Sequence, residues 1–323
     1  MTELQAEPFG ARHVLDIAGL NKRDAETILE TANAFFEVSR RAVRKVPTLR
    51  GKTVINGFFE PSTRTRTSFE IAGKRLSADV INVAGSSSSI TKGESLLDTC
   101  RTLQAMQPDV IVIRHGSSGA AEFVAQHTSA HVINAGDGMH AHPTQALLDA
   151  FTLLKVKGTL ENLVVTICGD IAHSRVARSN IALLRVFGAK VRVVAPRTLL
   201  PAFIERLGVE VFDDLEPALN GADVVMALRI QKERLNSTEF PTLREYSRVY
   251  GITAPRLSLA KPDAVVMHPG PMNRGVEIAP DVADGTRSLI LNQVEAGVAV
   301  RMAILYLLTG DTGERTSVKT VGE

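Results

Sequence analysis

The stretch LVVTICGDIAHSRVARSNIALLRVFGAKVRVVA, residues 163–195, opens on an apolar run, passes through a segment of helical spacing at 175–187, and closes on a second apolar run at 190–195. Short apolar runs without clear alternation predict strands buried on both faces, the habit of parallel sheets, and the helix between them supplies the crossover that parallel neighbours need. The pattern recurs on either side. Upstream lie TVINGFF (53–59), DVINVA (79–84), DVIVI (109–113) and HVINA (131–135), with helix-length segments at 63–76, 95–106 and 144–156. Downstream lie VEVF (209–212), DVVMAL (223–228) and AVVMHPG (264–270). The fold class is therefore α/β, with two parallel-sheet domains, one for each series of strands. The expected division is a first domain at 1–150, a second at 151–288, and a C-terminal segment at 289–323. Its apolar helix, LILNQVEAGVAVRMAILYLLTG (289–310), must pack somewhere and can return to the first domain.

With 323 residues the chain is long enough for two domains that each bury a core. Its 37 basic and 35 acidic residues leave a net charge of +2, with no long basic run and no aromatic interleaving, so nucleic acid is not an expected partner and any bound anion should be small. No apolar run approaches a membrane span, and MTELQAEPFGARH lacks the basic and then apolar regions of a signal peptide, which makes a cytoplasmic location the expectation. Cys100 and Cys168 both sit in apolar runs, so no disulfide framework is expected.

The stretch GFFEPSTRTRTSFEIAG (57–73) is where chemistry enters. A strand ends at Phe59, Pro61 breaks the pattern, and Ser62 is a good N-cap for a helix carrying Phe69, Ile71 and Leu76. Such a helix start offers free N–H groups and the positive end of the macrodipole, a natural site for phosphate. Arg64 and Arg66 stand about 200 degrees apart on a helix and cannot easily face one ligand. Arg66 has Glu70 four residues on as a partner, which leaves Arg64 for the ligand. A capped helix with solvated arginines is the plainer alternative.

Two further stretches bear on the choice. MHAHPTQALLDAFTLL (139–154) places His142 and Gln145 around Pro143 at another helix start, and MHPGPMNRG (267–275) makes a stiff loop after an apolar strand. With Ser62-Thr63-Arg64-Thr65-Arg66, in this order and at this separation, they resemble the aspartate and ornithine carbamoyltransferase family, and the resemblance runs from about residue 10 to 310. It implies transfer of the carbamoyl group of carbamoyl phosphate to the α-amine of L-aspartate, giving N-carbamoyl-L-aspartate and phosphate on the way to pyrimidines, with no cofactor and no metal. It also implies a homotrimer with shared active sites, and leaves open whether regulatory or dihydroorotase-like chains join it.

Position by position, the resemblance gives Ser62, Thr63, Arg64 and Thr65 to the phosphate. Arg114, His142, Gln145 and the loop Pro269, Gly270, Pro271 would complete the carbamoyl phosphate subsite. SSSSITKGESLLDT resembles the family's mobile loop, from which Ser88 and Lys92 would reach a neighbouring subunit's site, although four consecutive serines blur the alignment of Ser88. Arg175, Arg229 and Gln231, with Lys92, would hold the carboxylates of aspartate, Arg178 being an alternative to Arg175. The catalytic group would be Arg64, Thr65, Arg114, His142 and Lys92.

The charges make physical sense. Two substrates bringing about four negative charges together repel one another, and the cations Arg64, Arg114, Lys92, Arg175 and Arg229 oppose that repulsion. Guanidinium forks match phosphate and carboxylate geometry. Attack on the carbamoyl carbon puts charge on its oxygen, for which His142 and the Thr65 hydroxyl are the candidate donors, with Arg64 bridging to the leaving oxygen. No general base is evident, and the leaving phosphate can take the proton itself. Three alternatives are open to this sequence. His140 and His142 form a His-x-His pair suited to a metal, although the accompanying ligands are lacking. Ornithine carbamoyltransferases share the phosphate motifs, but their second-substrate loop resembles His-Cys-Leu-Pro where this chain has His268-Pro269-Gly270-Pro271. A non-catalytic homologue would have no reason to keep every site position filled.

Overall fold

The computed structural model of the chain describes residues 9–85, 93–230 and 242–310. After helix α1 (Lys22–Ser39), strands β1 (Thr53–Phe58), β2 (Asp79–Ala84), β3 (Val110–His115) and β4 (His131–Asp137) form a parallel sheet in the order β2-β1-β3-β4. Strands β5 (Val164–Cys168), β6 (Lys190–Val194), β7 (Glu210–Phe212), β8 (Val224–Ala227) and β9 (Val265–Met267) form a second, in the order β7-β6-β5-β8-β9. All pairings are parallel, as the apolar runs predict; Val54 and Ile55 lie beside Val110 and Ile111 in one sheet, and Val165 beside Val191 and Val224 in the other.

Burial on both faces holds for the central strands and fails at the margins. Val110, Val112, Val165, Ile167, Val224 and Val225 are buried, whereas β2 and β7 are largely exposed, with Ile81 50% and Val211 41% accessible. An edge strand has a neighbour on one side only, and residue type alone does not say which run lies at an edge.

The crossover helices are α2 (Thr63–Arg75), α3 (Leu96–Ala105), α4 (Ala120–Gln126), α6 (Arg175–Val186) and α7 (Leu215–Leu219), and α5 (Pro143–Lys157) joins the two sheets. Neither α1 nor α4 is among the segments read as helical above. For α1 a start signal was present: Asn21 caps it, its Oδ1 accepting from the Asp24 N–H at 2.7 Å. Helix α5 is buried on every side from Pro143 to Leu153 and packs against β4, α1 and α6. It runs unbroken through residue 150 and stops at Gly158, whose φ of 76° is the left-handed conformation that glycine adopts without strain. The chain thus passes from one sheet to the other along a core helix, not through a linker.

Helices α8 (Leu243–Tyr250), α9 (Ala254–Leu257) and α10 (Pro280–Ala283) complete the second half before α11 (Ile290–Thr309). By length and composition α11 could cross a membrane, contrary to the reading that no run approaches a span, but most of it is buried. It returns to the first domain, packing on α1, α2 and α5. Met302, Ile304, Leu305 and Leu308 are buried, and each such side chain contributes about 1.5–3 kcal/mol when removed from water.

Candidate active site

In each sheet the strand order reverses once. The chain moves from β1 to β2 and returns past β1 to β3; it moves from β5 through β6 to β7 and returns past β5 to β8. Crevices open beyond the carboxyl ends of strands at such reversals. Here the two crevices share a cleft of about 970 Å³, lined by the starts of α2, α5, α6 and α11. Among the described residues, its wall holds Arg64, Arg114, Arg175, Arg229 and Arg301 against a single carboxylate, Glu60.

At the start of α2, Ser62 is the N-cap and its Oγ accepts from the Thr65 N–H at 3.4 Å. The N–H groups of Thr63 and Arg64 belong to the helix's first turn, where no intrahelical acceptor exists, so they are available to an anion. Arg64 is reached by solvent through the cleft. Burial by the surrounding protein, and then the Arg229 guanidinium from the second domain, lower its pKa. Gly270, at φ +64°, lies so close that a Cβ there would overlap the Arg64 guanidinium. The expected Arg66–Glu70 pair is not the one formed. Glu70 accepts from Lys74 Nζ at 2.5 Å and from Asn82 Nδ2 at 2.9 Å, and Arg66 acts on it only through space.

Arg114 is the penultimate residue of β3 and Arg175 begins α6, and Glu60 bridges them. Arg114 Nη2 donates to Glu60 Oε1 at 2.9 Å, while Arg175 donates to Oε1 through Nη2 at 2.7 Å and to Oε2 through Nη1 at 2.8 Å. Arg175 also reaches the Gly138 carbonyl at 3.1 Å. One carboxylate thereby ties the first domain's cleft wall to the second's. Arg178 is not in that wall.

His142 is the N-cap residue of α5, with Pro143 at the first helical position; its backbone N–H donates to Ser179 Oγ at 2.9 Å. The imidazole is buried, and its Nδ1 has no hydrogen-bond partner among the described residues. Burial first, then the charges of Arg114, Arg175 and Arg301, hold its pKa well below 6.5, so the ring is neutral at physiological pH. His140 behaves differently: its Nδ1 lies 3.0 Å from Asp137 Oδ2, and it does not line the cleft. Pro269, Gly270 and Pro271 do line it. His268 anchors that loop, its Nδ1 accepting from the Gly270 N–H at 2.7 Å and its Nε2 facing Glu277 at 3.2 Å. With Nδ1 accepting, Nε2 carries the proton and Glu277 accepts it.

Of the residues singled out in the sequence, Ser62, Thr63, Arg64, Thr65, Arg114, His142, Gln145, Arg175, Arg229, Pro269, Gly270 and Pro271 come together in this cleft. Ser88, Lys92 and Gln231 lie outside the described residues. The sequence reading missed Glu60, Ser68, Gln293 and Arg301 in the wall. Arg301 had a signal: it is the one basic residue within an apolar helical run. Its Nη1 donates to Ser68 Oγ at 2.8 Å and its guanidinium lies 5.1 Å from the Phe69 ring centre. Burial pulls its pKa down to about 9, against the attraction of Asp149, so it remains a cation at neutral pH.

The domain of the aspartate/ornithine carbamoyltransferases that binds carbamoyl-P matches residues 12–155, and their Asp/Orn binding domain matches residues 161–308. The aspartate carbamoyltransferase catalytic subunit of Sorangium cellulosum is 66% identical over 303 residues, 94% of each chain. That of Syntrophotalea carbinolica is 60% identical, over 94% of this chain and 96% of its own. Among solved structures, the Trypanosoma cruzi aspartate transcarbamoylase in complex with carbamoyl aspartate and phosphate superposes with a TM-score of 0.85 at 32% identity, covering 94% of this chain and 99% of that one. The ornithine carbamoyltransferase of Pyrococcus furiosus gives a TM-score of 0.84 at 28% identity, covering 95% and 99%. Both halves of the cleft, and the order in which the chain builds them, are thus those of one enzyme group, and the chain belongs to the aspartate/ornithine carbamoyltransferase family.

Proposed function

We infer that the chain is an aspartate carbamoyltransferase, which moves the carbamoyl group of carbamoyl phosphate onto the α-amine of L-aspartate and releases phosphate. The observation that carries this is the charge of the cleft: among the described residues, five arginines and one carboxylate, drawn from both domains, suit two dianionic substrates that would otherwise repel each other. An ornithine side chain would bring a cation to this arginine-lined wall. The relatives at 60–66% identity carry the aspartate name.

The phosphate sits on the N-terminus of α2, held by Ser62, Thr63, Thr65, Arg64 and Arg114. The carbamoyl oxygen receives hydrogen bonds from neutral His142 and the Thr65 hydroxyl, and the carbamoyl amide faces Gln145 and the 269–271 loop. Aspartate takes Arg175, Arg229 and Gln231, and its carboxylate competes with Glu60 for Arg175. The α-amine attacks the carbamoyl carbon, the bond from that carbon to the phosphate oxygen breaks, Arg64 stabilises the leaving oxygen, and the departing phosphate accepts the amine's proton. His142 acts as a hydrogen-bond donor throughout and not as a general acid, because a neutral imidazole keeps one N–H to donate but carries no second proton to transfer at neutral pH. No step calls for a metal or cofactor.

We place the enzyme in the cytoplasm, in keeping with two buried free cysteines. A trimer with Lys92 and Ser88 crossing to a neighbour is supported by the exposed apolar side chains Ile71 and Ile81 on the α2/β2 face.

Phosphate release from carbamoyl phosphate should be fast with aspartate and absent with ornithine; the reverse result would overturn the reading. Arg229→Ala should raise the KM for aspartate by about 10²-fold, as expected for a lost charge-assisted contact, while carbamoyl phosphate still binds in calorimetry. Loss of that binding would contradict the division of substrates between the domains. Gly270→Ala, which forces Arg64 aside and strains a left-handed residue, should lower kcat/KM for carbamoyl phosphate by at least about 10²-fold with an unchanged circular dichroism spectrum.

A further inference from the structure

Behind the cleft wall a carboxylate is ringed by amides. Asp149 is fully buried on α5, four residues after Gln145. Its Oδ1 accepts from Gln145 Nε2 at 2.9 Å and from Gln293 Nε2 at 2.7 Å, and its Oδ2 accepts from Asn180 Nδ2 at 2.9 Å. Two of these amide orientations are fixed from outside the ring. Gln293 Oε1 takes the backbone N–H of His268 at 3.0 Å, and Asn180 Nδ2 also donates to the Val176 carbonyl at 3.1 Å. An ionised carboxylate only accepts hydrogen bonds, so every amide that meets it must turn its NH2 inward. For Gln145 this leaves Oε1 as the atom offered to the cleft it lines.

We propose that ionised Asp149 is a positioning residue: it holds Gln145 with its carbonyl oxygen toward the cleft, as the acceptor for the amide N–H of carbamoyl phosphate, and through Gln293 it fixes the backbone at His268 where the 269–271 loop begins. This rests on the carbamoyl phosphate reading of the cleft. A protonated Asp149 carries an O–H donor that pairs with the Gln145 oxygen and turns the amide over. Burial raises the Asp149 carboxyl to about 6, with Gln293, Asn180, Gln145 and then the Arg301 charge opposing the rise. Arg301, from α11, is the one charge acting on it among the described residues; α1, α6 and β4, which also pack on α5, bring none, and His142 on the first turn of α5 stays neutral. With the pKa raised, the group is ionised above about 6 and protonated below. Positioning is therefore complete at neutral and basic pH and is lost as the pH falls through that value.

The test is kcat/KM for carbamoyl phosphate at saturating aspartate, read by phosphate release from about pH 5 to about pH 8.5, on wild type, Asp149→Asn and Gln145→Ala. Comparing each variant with wild type at the same pH cancels the ionisation of the substrates. At pH 8, Asp149→Asn should fall between about 10- and 100-fold below wild type, the range for a lost hydrogen bond to a charged group. Toward about pH 5 the profiles should converge, with a midpoint near 6. Gln145→Ala should show the same convergence, since a turned-over amide contributes as little as an absent one, and it serves if Asp149→Asn fails to fold. A purely structural Asp149 would lower activity by one factor at every pH, and such parallel profiles overturn the proposal. A wild type that releases no phosphate with aspartate overturns the functional reading itself.

Discussion

Arg64→Ala should lower kcat/KM for carbamoyl phosphate by about 10³-fold or more, close to 4 kcal/mol of transition-state stabilisation. The size follows from how many elements meet at this side chain. Arg64 stands on the first turn of α2, where the helix N-terminus already favours an anion, against a glycine that makes room for its guanidinium, and facing Arg229 across the cleft. Removing it takes away the cation assigned to the leaving oxygen while every other wall residue stays in place. Arg64→Lys keeps the charge without the planar fork and should recover only part of the loss. Arg66→Ala is the internal control, because its side chain projects about 200 degrees around the same helix and should leave activity within about two-fold. An Arg64→Ala enzyme within ten-fold of wild type, or an Arg66→Ala enzyme equally impaired, would sink the assignment of the ligand to Arg64.

That assignment was legible in the sequence because it depends on local rules. A strand end, a proline, a capping serine and the angular step of a helix all lie within the dozen residues from Phe58 to Phe69. The strands were legible for the same reason, since β-rich apolar runs of four to seven residues declare themselves. What the sequence hid was set by partners far along the chain. Glu60 lies inside the first stretch that suggested chemistry, yet its role depends on Arg175, 115 positions away. Asp149 looks like a polar interruption in α5 until Asn180 and Gln293 are brought to it by other helices. The pairing proposed for Arg66 and Glu70 was a sound local inference overruled by position: Glu70 faces Lys74 and the neighbouring edge strand at Asn82. Local spacing and motif thus pointed to side chains that do line one cleft, and tertiary contacts decided which of them already have partners.

The second large effect concerns the site's completeness. Strand β2, the exposed edge strand of the first sheet, presents Ile81 beside the exposed Ile71 of α2, an apolar face that awaits cover, and Lys92 follows it eight residues on in the sequence. If that face meets a second copy in a cyclic trimer, Lys92 of one chain serves the cleft whose His142 belongs to its neighbour. Lys92→Ala and His142→Ala should then each leave only a trace of activity. Chains of the two kinds, mixed in equal amounts, dissociated and reassociated at random, should place an intact His142 beside an intact Lys92 at about one interface in four, so recovery should reach roughly a quarter of wild type. The gain needs no new contact and no change in either fold, since each defective site lends its sound half to another. A reassociated mixture no more active than its parents, with mixed trimers demonstrated by mass, would mean that Lys92 acts within its own chain or has no part in the reaction.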